Sequence, residues 1–330
     1  MWNLVQELLL AFKQGKIKLS ELDDLTVDTL YGSMWGLNIR YTTLSEALNR
    51  SKNEIITYSL QRISKLVGEA PFTFKTQQIP RCRIGYGTFG WKYDPKIIEL
   101  AIENASIIDT AEGYGYGKVE TELGKIFSWS DPAEVNTKVR RDHMSPTAII
   151  NSVTRSVDKL NCIPYVQLHF PNDKFPYAVK DLADLRKKGL IKSIGLSNCS
   201  IDMIEYAQLL LSTYSGDVIS SVQLPFNLVD NRISKSLIPY CQERGIVVMA
   251  YSPLGQKFER LQTPLLSGIA KRNNCTKAQV ALSWLLSFEG ILPIPTTNNI
   301  QHLKENFESN DLYLDEEDII ELTDYYDERI

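Results

Sequence analysis

Two rhythms of apolar residues divide the chain. From residue 1 to about 70 apolar positions recur every three or four residues: Leu4, Val5, Leu8, Leu9 and Phe12 form one row, and Ile56, Leu60, Ile63 and Val67 another. That spacing puts a stripe along one side of a helix. Thr43-Leu44-Ser45-Glu46 and Ser51-Lys52-Asn53-Glu54 set hydroxyl and carboxylate at the offset of a capping box, so each predicts a helix start. Acids and bases balance here and form no reactive constellation. The expectation for 1–70 is a helical extension used for packing or for contact with a partner.

From about residue 72 short apolar runs alternate with amphipathic stretches. The runs are "CRIGYGTF" (82–89), "SIIDT" (106–110), "EVNTKV" (134–139), "YVQLHF" (165–170), "KSIGLS" (192–197), "ISSVQLPF" (219–226), "IVVMAYS" (246–252) and "GILPIP" (290–295), eight candidate strands. Asp94-Pro95 and Ser145-Pro146 place a cap residue before a proline at the first helical position. After the second, Ile149, Val153, Val157 and Leu160 mark one buried face. The closing "LDEEDIIELTDYYDERI" reads as an acid-capped helix. Strands joined through helices run parallel with right-handed crossovers, and eight such units predict an α/β fold, a (β/α)8 TIM barrel over 71–330. A doubly wound open sheet is the alternative, because periodicity does not report closure.

Composition narrows this picture by exclusion. The 330 residues carry a formal net charge of −4 and no Lys/Arg-rich run, which offers nothing to nucleic acid or to an acidic membrane. The five cysteines (82, 162, 199, 241, 275) are scattered without a CxxC, the pattern of reduced thiols rather than of a disulfide framework or zinc site. The opening "MWNLVQELLLAFKQGK" lacks a basic start and a small-residue cleavage site, and Gln6 and Glu7 break its apolar run. No segment has the length and apolarity to cross a bilayer. A cytoplasmic protein is expected.

The chemistry of such a barrel sits at the C-terminal strand ends. Strand two ends in Asp109, strand three in Lys138 and strand four in His169, while Tyr114 follows strand two inside "GYGYG". Singly, the Asp reads as a turn cap, the Lys as a solvated charge and the His as a structural hydrogen-bonding residue. Together they can converge. A buried ammonium beside a phenol favours phenolate and lowers the tyrosine pKa from about 10. The carboxylate would keep that ammonium charged, and the imidazole could meet a substrate oxygen. This is the equipment of a proton donor to a carbonyl. With three histidines in the chain (143, 169, 302), a metal site is a poor alternative.

The same residues fall within "DTAEGYGYGKVETELG", "NTKV", "VQLHFP", "IGLSN", "VQLPFN", "AYSPLG" and "IPTTNNIQHLKEN", preceded by "QQIPRCRIGYGTFG". In that order, from about residue 76 to the end of the chain, these motifs resemble the aldo-keto reductases. The resemblance implies a (β/α)8 barrel with a nicotinamide cofactor at the strand C-termini and no Rossmann domain. The glycines of "GYGYG" do not follow a strand-to-helix turn and are not read as a dinucleotide fingerprint. It implies Tyr114 as general acid, Lys138 as the residue tuning it, Asp109 as the partner of Lys138, and His169 as the group orienting the carbonyl oxygen. It implies that Ser197, Asn198 and Gln223 hold the nicotinamide carboxamide, that Tyr251 stacks on the ring, and that Ser252, Leu254 and Lys257 lie along the pyrophosphate.

Where NADPH-preferring members set Lys and Arg around the 2′-phosphate, this chain has Thr296, Thr297 and His302, followed by the expected Glu305 and Asn306. NADPH is the expected cofactor, and the missing charge leaves NADH open. Hydroxyls and a helix N-terminus near Asn298 remain to meet a phosphate. The chain stops soon after its last helix and "FPNDKFPYAVKD" is short, so an open pocket without the long C-terminal substrate loop is expected. Residues 1–70 lie outside the family barrel and would form a pocket wall, a homo-oligomer contact or a partner site. The expected activity is NAD(P)H-dependent reduction of a small carbonyl substrate (aldehyde, ketone or imine), or the reverse oxidation. The alternatives are a nicotinamide-binding regulatory protein on the same barrel and a phosphate-binding barrel isomerase.

Overall fold

The computed structural model describes residues 82–127, 131, 133–256 and 258–328. The helical rows and capping boxes of 1–70, and Lys257, lie outside the described residues. Each of the eight runs holds one strand: β1 Tyr86–Gly87, β2 Ile107–Asp109, β3 Glu134–Val139, β4 Tyr165–Leu168, β5 Ile194–Ser197, β6 Ile219–Pro225, β7 Val247–Tyr251 and β8 Ile291–Pro293. They pair in parallel and in sequence order, β1 to β8. Gly85 N donates to Pro293 O at 2.9 Å and Gly87 N to Pro295 O at 3.0 Å, so the curled sheet meets itself. Sequential order with this join is the layout of (β/α)8 barrels, and it overturns the doubly wound alternative, whose strand order reverses at a switch point. Proline can stand at the join because its missing N–H faces β1, while the alternate residue Ile294 donates to Ala250 O of β7 at 3.0 Å.

The helices are α1 Pro95–Asn104, α2 Lys118–Ile126, α3 Pro146–Leu160, α4 Phe175–Lys187, α5 Ile201–Tyr214, α6 Leu237–Glu243, α7 Pro264–Arg272, α8 Lys277–Leu286, α9 Ile300–Glu308 and α10 Glu316–Asp327. Asp94 caps α1 by accepting from Lys96 N at 3.0 Å, and Asp315 caps α10 by accepting from Asp318 N at 2.7 Å. Outward strand residues Ile108 and Val135 pack with Ile97, Ile98 and Ala101 of α1, Leu123 of α2 and Leu160 of α3. The segment Asp202–Asp217 belongs to a different compact unit from residues 82–201 and 218–328. Within it α5 ends where Gly216, at φ 73°, lets its N–H reach back to Leu211 O at 3.0 Å.

The buried face of α3 is turned from the expected one. Ile149, Val153 and Leu160 are buried, Val157 is half-buried, and Ser152 and Ser156 take buried places. The cause is a pair of buried carboxylates across the contact: Ser152 Oγ donates to Glu112, and the Ser156 side chain bonds to Glu120. At the α2–α3 crossing a Cβ on Gly124 would stand 1.8 Å from Lys159 O. Alanine gains about 1 kcal/mol in helix propensity, whereas forcing the helices apart costs about 1–3 kcal/mol or more. Gly124→Ala is therefore expected to lower the thermal midpoint by several degrees. A melt in which it rises would show that the helices separate freely.

Candidate active site

Lys138 is the centre of the C-terminal mouth. Its side chain is 0% exposed and that of Asp109 3%. Nζ lies 2.8 and 2.7 Å from the two Asp109 oxygens, 2.7 Å from Thr110 O and 3.5 Å from Tyr114 OH. An ammonium has three protons, and these partners answer them. Asp109 Oδ1 also accepts from Asn136 Nδ2 and from Gln223 Nε2, each at 2.8 Å. Beneath this level Asn136 Nδ2 and Gln223 Nε2 reach Gln167 Oε1 at 3.3 and 3.2 Å, and Gln167 Nε2 donates to Ser221 Oγ at 2.9 Å. Burial lowers the Lys138 pKa, and the Asp109 charge opposes it.

Tyr114 opens a short 3₁₀ turn, Tyr114–Gly117, in which Gly115, Tyr116 and Gly117 have φ of 55°, 57° and 83°. Glycine takes that left-handed backbone without a Cβ clash, and the turn leaves the phenol facing the cavity. The Tyr114 ring meets Phe89 edge-on at 5.2 Å and His169 edge-on at 5.9 Å. Burial, with the Asp109 charge adding to it, pushes the Tyr114 pKa well above the ordinary tyrosine range. This reverses the expected lowering by Lys138. The physical reason is that Asp109 neutralises the ammonium at salt-bridge distance, so desolvation of the phenolate dominates. His169 is pushed down to about 4, by burial first and the Lys138 charge second, and is a neutral imidazole at neutral pH.

Asp109, Tyr114 and His169 line a cavity of about 520 Å³, with Lys138 buried behind Asp109 and Tyr114, and Ser197, Asn198, Gln223, Tyr251, Ser252, Leu254 and Thr296 line it as well. Asn198 is wired on every side: Nδ2 donates to His169 O and to Ser197 Oγ, each at 3.0 Å, and Oδ1 accepts from Tyr251 OH at 2.9 Å. Ser197 Oγ donates to Gln223 O at 3.1 Å. Beyond β8 the convergence ends. Thr297, His302, Glu305 and Asn306 are not part of the cavity wall. Thr297 O accepts from Tyr86 OH at 2.9 Å, Glu305 accepts from Gln301 Nε2 at 3.1 Å, and Asn306 is buried in α9. The helix N-terminus expected near Asn298 is filled by Asn299, whose Oδ1 accepts from Gln301 N and His302 N. Asn298 instead accepts from Lys92 N and donates to Gly90 O.

Sequence reasoning missed Asn136, Gln167 and Glu112. The first two had a signal. Alternation along a strand puts Asn136 below Lys138 and Gln167 below His169 on the inward face. A second hollow of about 340 Å³ at the strand starts is lined by Ser106, Glu134, Tyr165 and Met249 among others, and it gathers no comparable set of acid, amine, imidazole and phenol.

A curled parallel sheet that gathers these four groups at its C-terminal mouth has the layout of a barrel enzyme. Residues 84–327 match the Aldo/keto reductase family. Methylglyoxal reductase YeaE of Escherichia coli (strain K12) is 32% identical over 219 residues, covering 63% of this chain and 74% of that protein. Methylglyoxal reductase DkgB of Escherichia coli O157:H7 is 28% identical over 251 residues, covering 71% and 89%. The aldo/keto reductase of Klebsiella pneumoniae, solved in complex with NADP and acetate, is 25% identical with a TM-score of 0.67, covering 74% of this chain and 91% of that one. The chain belongs to the aldo/keto reductase family and is an oxidoreductase.

Two outcomes follow from the electrostatics. Lys138→Met leaves the Asp109 charge buried without its partner and is expected to cost about 3–5 kcal/mol in urea unfolding. Adding Asp109→Asn should restore most of that loss, and a single variant as stable as wild type would contradict the buried pair. His169 binds its proton less readily folded than unfolded, so its contribution to stability is present above the unfolded pKa of about 6.5 and is lost as pH falls toward about 4. Unfolding titrations across that window should show a steeper loss in wild type than in His169→Gln.

Proposed function

We propose that the chain reduces a small aldehyde, ketone or imine with NADPH and that Tyr114 delivers the proton. The observation that carries this reading is Tyr114 OH beside Lys138 Nζ on the wall of a cavity that His169 also lines. NADPH, when bound, supplies the hydride. As negative charge develops on the carbonyl oxygen, that oxygen becomes more basic than a phenolate and takes the Tyr114 proton. The raised phenol pKa keeps the proton in place until that moment. Lys138 then faces the phenolate at hydrogen-bond range, and the neutral His169 offers one N–H to the substrate oxygen.

The residues fit a nicotinamide carboxamide, with one constraint from their present bonds. Gln223 commits its amide N–H groups to Asp109 and Gln167, so its oxygen is the end it offers to a carboxamide NH2. A donor to the carboxamide oxygen comes from Ser197 Oγ or Asn198 Nδ2 by exchange of an internal bond. Tyr251, tied to Asn198, presents its ring to the cavity, and Ser252 and Leu254 continue along the wall and would meet the pyrophosphate. For the 2′-phosphate, Thr296, Thr297 and His302 provide hydroxyls and an imidazole in place of fixed charge. NADPH is favoured over NADH because the Klebsiella relative holds NADP. A phosphate at α9 would have to displace the Asn299 cap.

The cavity rim supports a reading of the substrate class. Phe89 is 72% exposed and Phe170 48%, the latter stacked on His169 at 4.7 Å. This rim suits a small carbonyl compound with an apolar or planar group, and the methylglyoxal reductases among the relatives extend it to 2-oxoaldehydes. The free cysteines fit a reducing compartment, the cytoplasm. Among the described residues no helix is long and apolar enough to cross a membrane.

The test is NADPH and NADH oxidation with methylglyoxal and a panel of aromatic aldehydes. Tyr114→Phe is expected to lower kcat by about 10²–10⁴-fold while the cofactor dissociation constant, read by fluorescence, stays unchanged. Turnover preserved in Tyr114→Phe would overturn the proton-donor role. Cofactor binding without turnover of any carbonyl would favour the regulatory alternative.

A further inference from the structure

Glu112 stands two residues before Tyr114 with its side chain 7% exposed, and its carboxylate is reached from several directions. Arg140 N, in the loop after β3, donates to Oε1 at 2.6 Å. His143 Nδ1, on the short helix Arg141–His143, is 3.0 Å from both oxygens. From α3, Ser152 Oγ donates to Oε2, and the Arg155 guanidinium lies 3.8 Å away. The main chain follows the same line, with Glu112 N donating to Lys138 O at 3.2 Å and Tyr114 N to Ala111 O at 3.0 Å. Asn172 Nδ2 donates to Arg141 O at 2.7 Å, tying the loop after β4 to the same segment, and His169 N donates to Val139 O at 3.0 Å. One buried carboxylate thus braces the loop that bears Tyr114 against the loop after Lys138, which is in turn tied to the loop after His169.

Among the described residues the far side of Tyr114 has no equivalent side-chain anchor. It passes into the left-handed turn of Gly115–Gly117, where Tyr116 is fully exposed, and its clearest tie there is Lys159 Nζ to Gly117 O at 3.2 Å. Tyr114 OH is 3.5 Å from Lys138 Nζ, at the outer edge of hydrogen bonding, so a small tilt of the loop breaks the contact.

We propose that Glu112 is a positioning residue: it locks the Tyr114 loop to the loop after β3 and so sets the phenol against Lys138 and the substrate oxygen. The proposal rests on the reading of Tyr114 as proton donor. A carboxylate needed only to cap its own turn would not require bonds to two other segments.

The test is the ionisation of Tyr114 itself, followed by tyrosine-ring carbon NMR on the full chain, with Tyr114→Phe identifying the resonance. In Glu112→Ala the released loop lets water reach the phenol, and the resonance is expected to titrate at lower pH than in wild type, toward the ordinary value of about 10. Turnover should fall by about tenfold to a hundredfold, the scale of a misplacement near 1 Å, with the NADPH dissociation constant unchanged. Glu112→Gln keeps an acceptor for the Arg140 N–H and loses the charge toward His143 and Arg155. Its Tyr114 titration is expected between the two, and it serves where the alanine variant does not fold. A Tyr114 titration and a kcat per folded molecule equal to wild type in both variants, with only the melting temperature lowered, would overturn the proposal. The titration needs no turnover, so a failure of Glu112 to position the phenol is distinguishable from a failure of Tyr114 to donate in the carbonyl assay.

Discussion

A lysine ammonium shut away from water must have its charge and every one of its protons answered by protein, and at Lys138 that requirement organises the mouth of the barrel. The answers come from β2 and the loop after it: the Asp109 carboxylate, the Thr110 carbonyl and the Tyr114 phenol. Asp109 is then held by Asn136 from β3 and Gln223 from β6. Strands two and six stand far apart in a parallel sheet laid flat. Curling brings them to one carboxylate, so closure of the sheet and assembly of the site are the same event. The pair is not there for stability, since a buried ion pair of this kind does little better than a well-packed apolar replacement.

Neutralising the ammonium so closely has a chemical result. To the phenol and the imidazole above it, Lys138 and Asp109 act as an oriented dipole more than as a free positive charge. Burial then decides the protonation of both neighbours, with Tyr114 kept protonated and His169 kept neutral. A site arranged this way holds a protonated phenol and an uncharged imidazole at neutral pH, the state that the proposed proton transfer to a carbonyl requires.

Much of this was legible in the sequence, for a physical reason. Parallel strands covered on both faces read as nearly unbroken apolar runs, so a polar residue inside such a run marks the barrel interior or its rim. Asp109, Lys138 and His169 stood out in that way. Quantities that depend on balances stayed hidden: the sign of the Tyr114 shift turns on whether Asp109 or burial outweighs Lys138, and spacing carries no trace of that. The apolar row of α3 gave no sign that Ser152 and Ser156 are buried, because their partners, Glu112 and Glu120, come from elsewhere in the chain. The helix N-terminus expected near Asn298 is there, but that the Asn299 side chain already fills it is a local choice that composition does not record.

The join between β8 and β1 carries a consequence for how the ring can breathe. Gly85 and Gly87 donate to carbonyls of Pro293 and Pro295, and the returning bonds, which would need proline N–H groups, do not exist. That ladder runs in one direction, while its neighbours run in both. Amide exchange by local opening is accordingly easiest along this line. Because Gly87 and Thr296 border the cavity at the same place, this one-directional seam runs along the edge of the pocket proposed to take the cofactor.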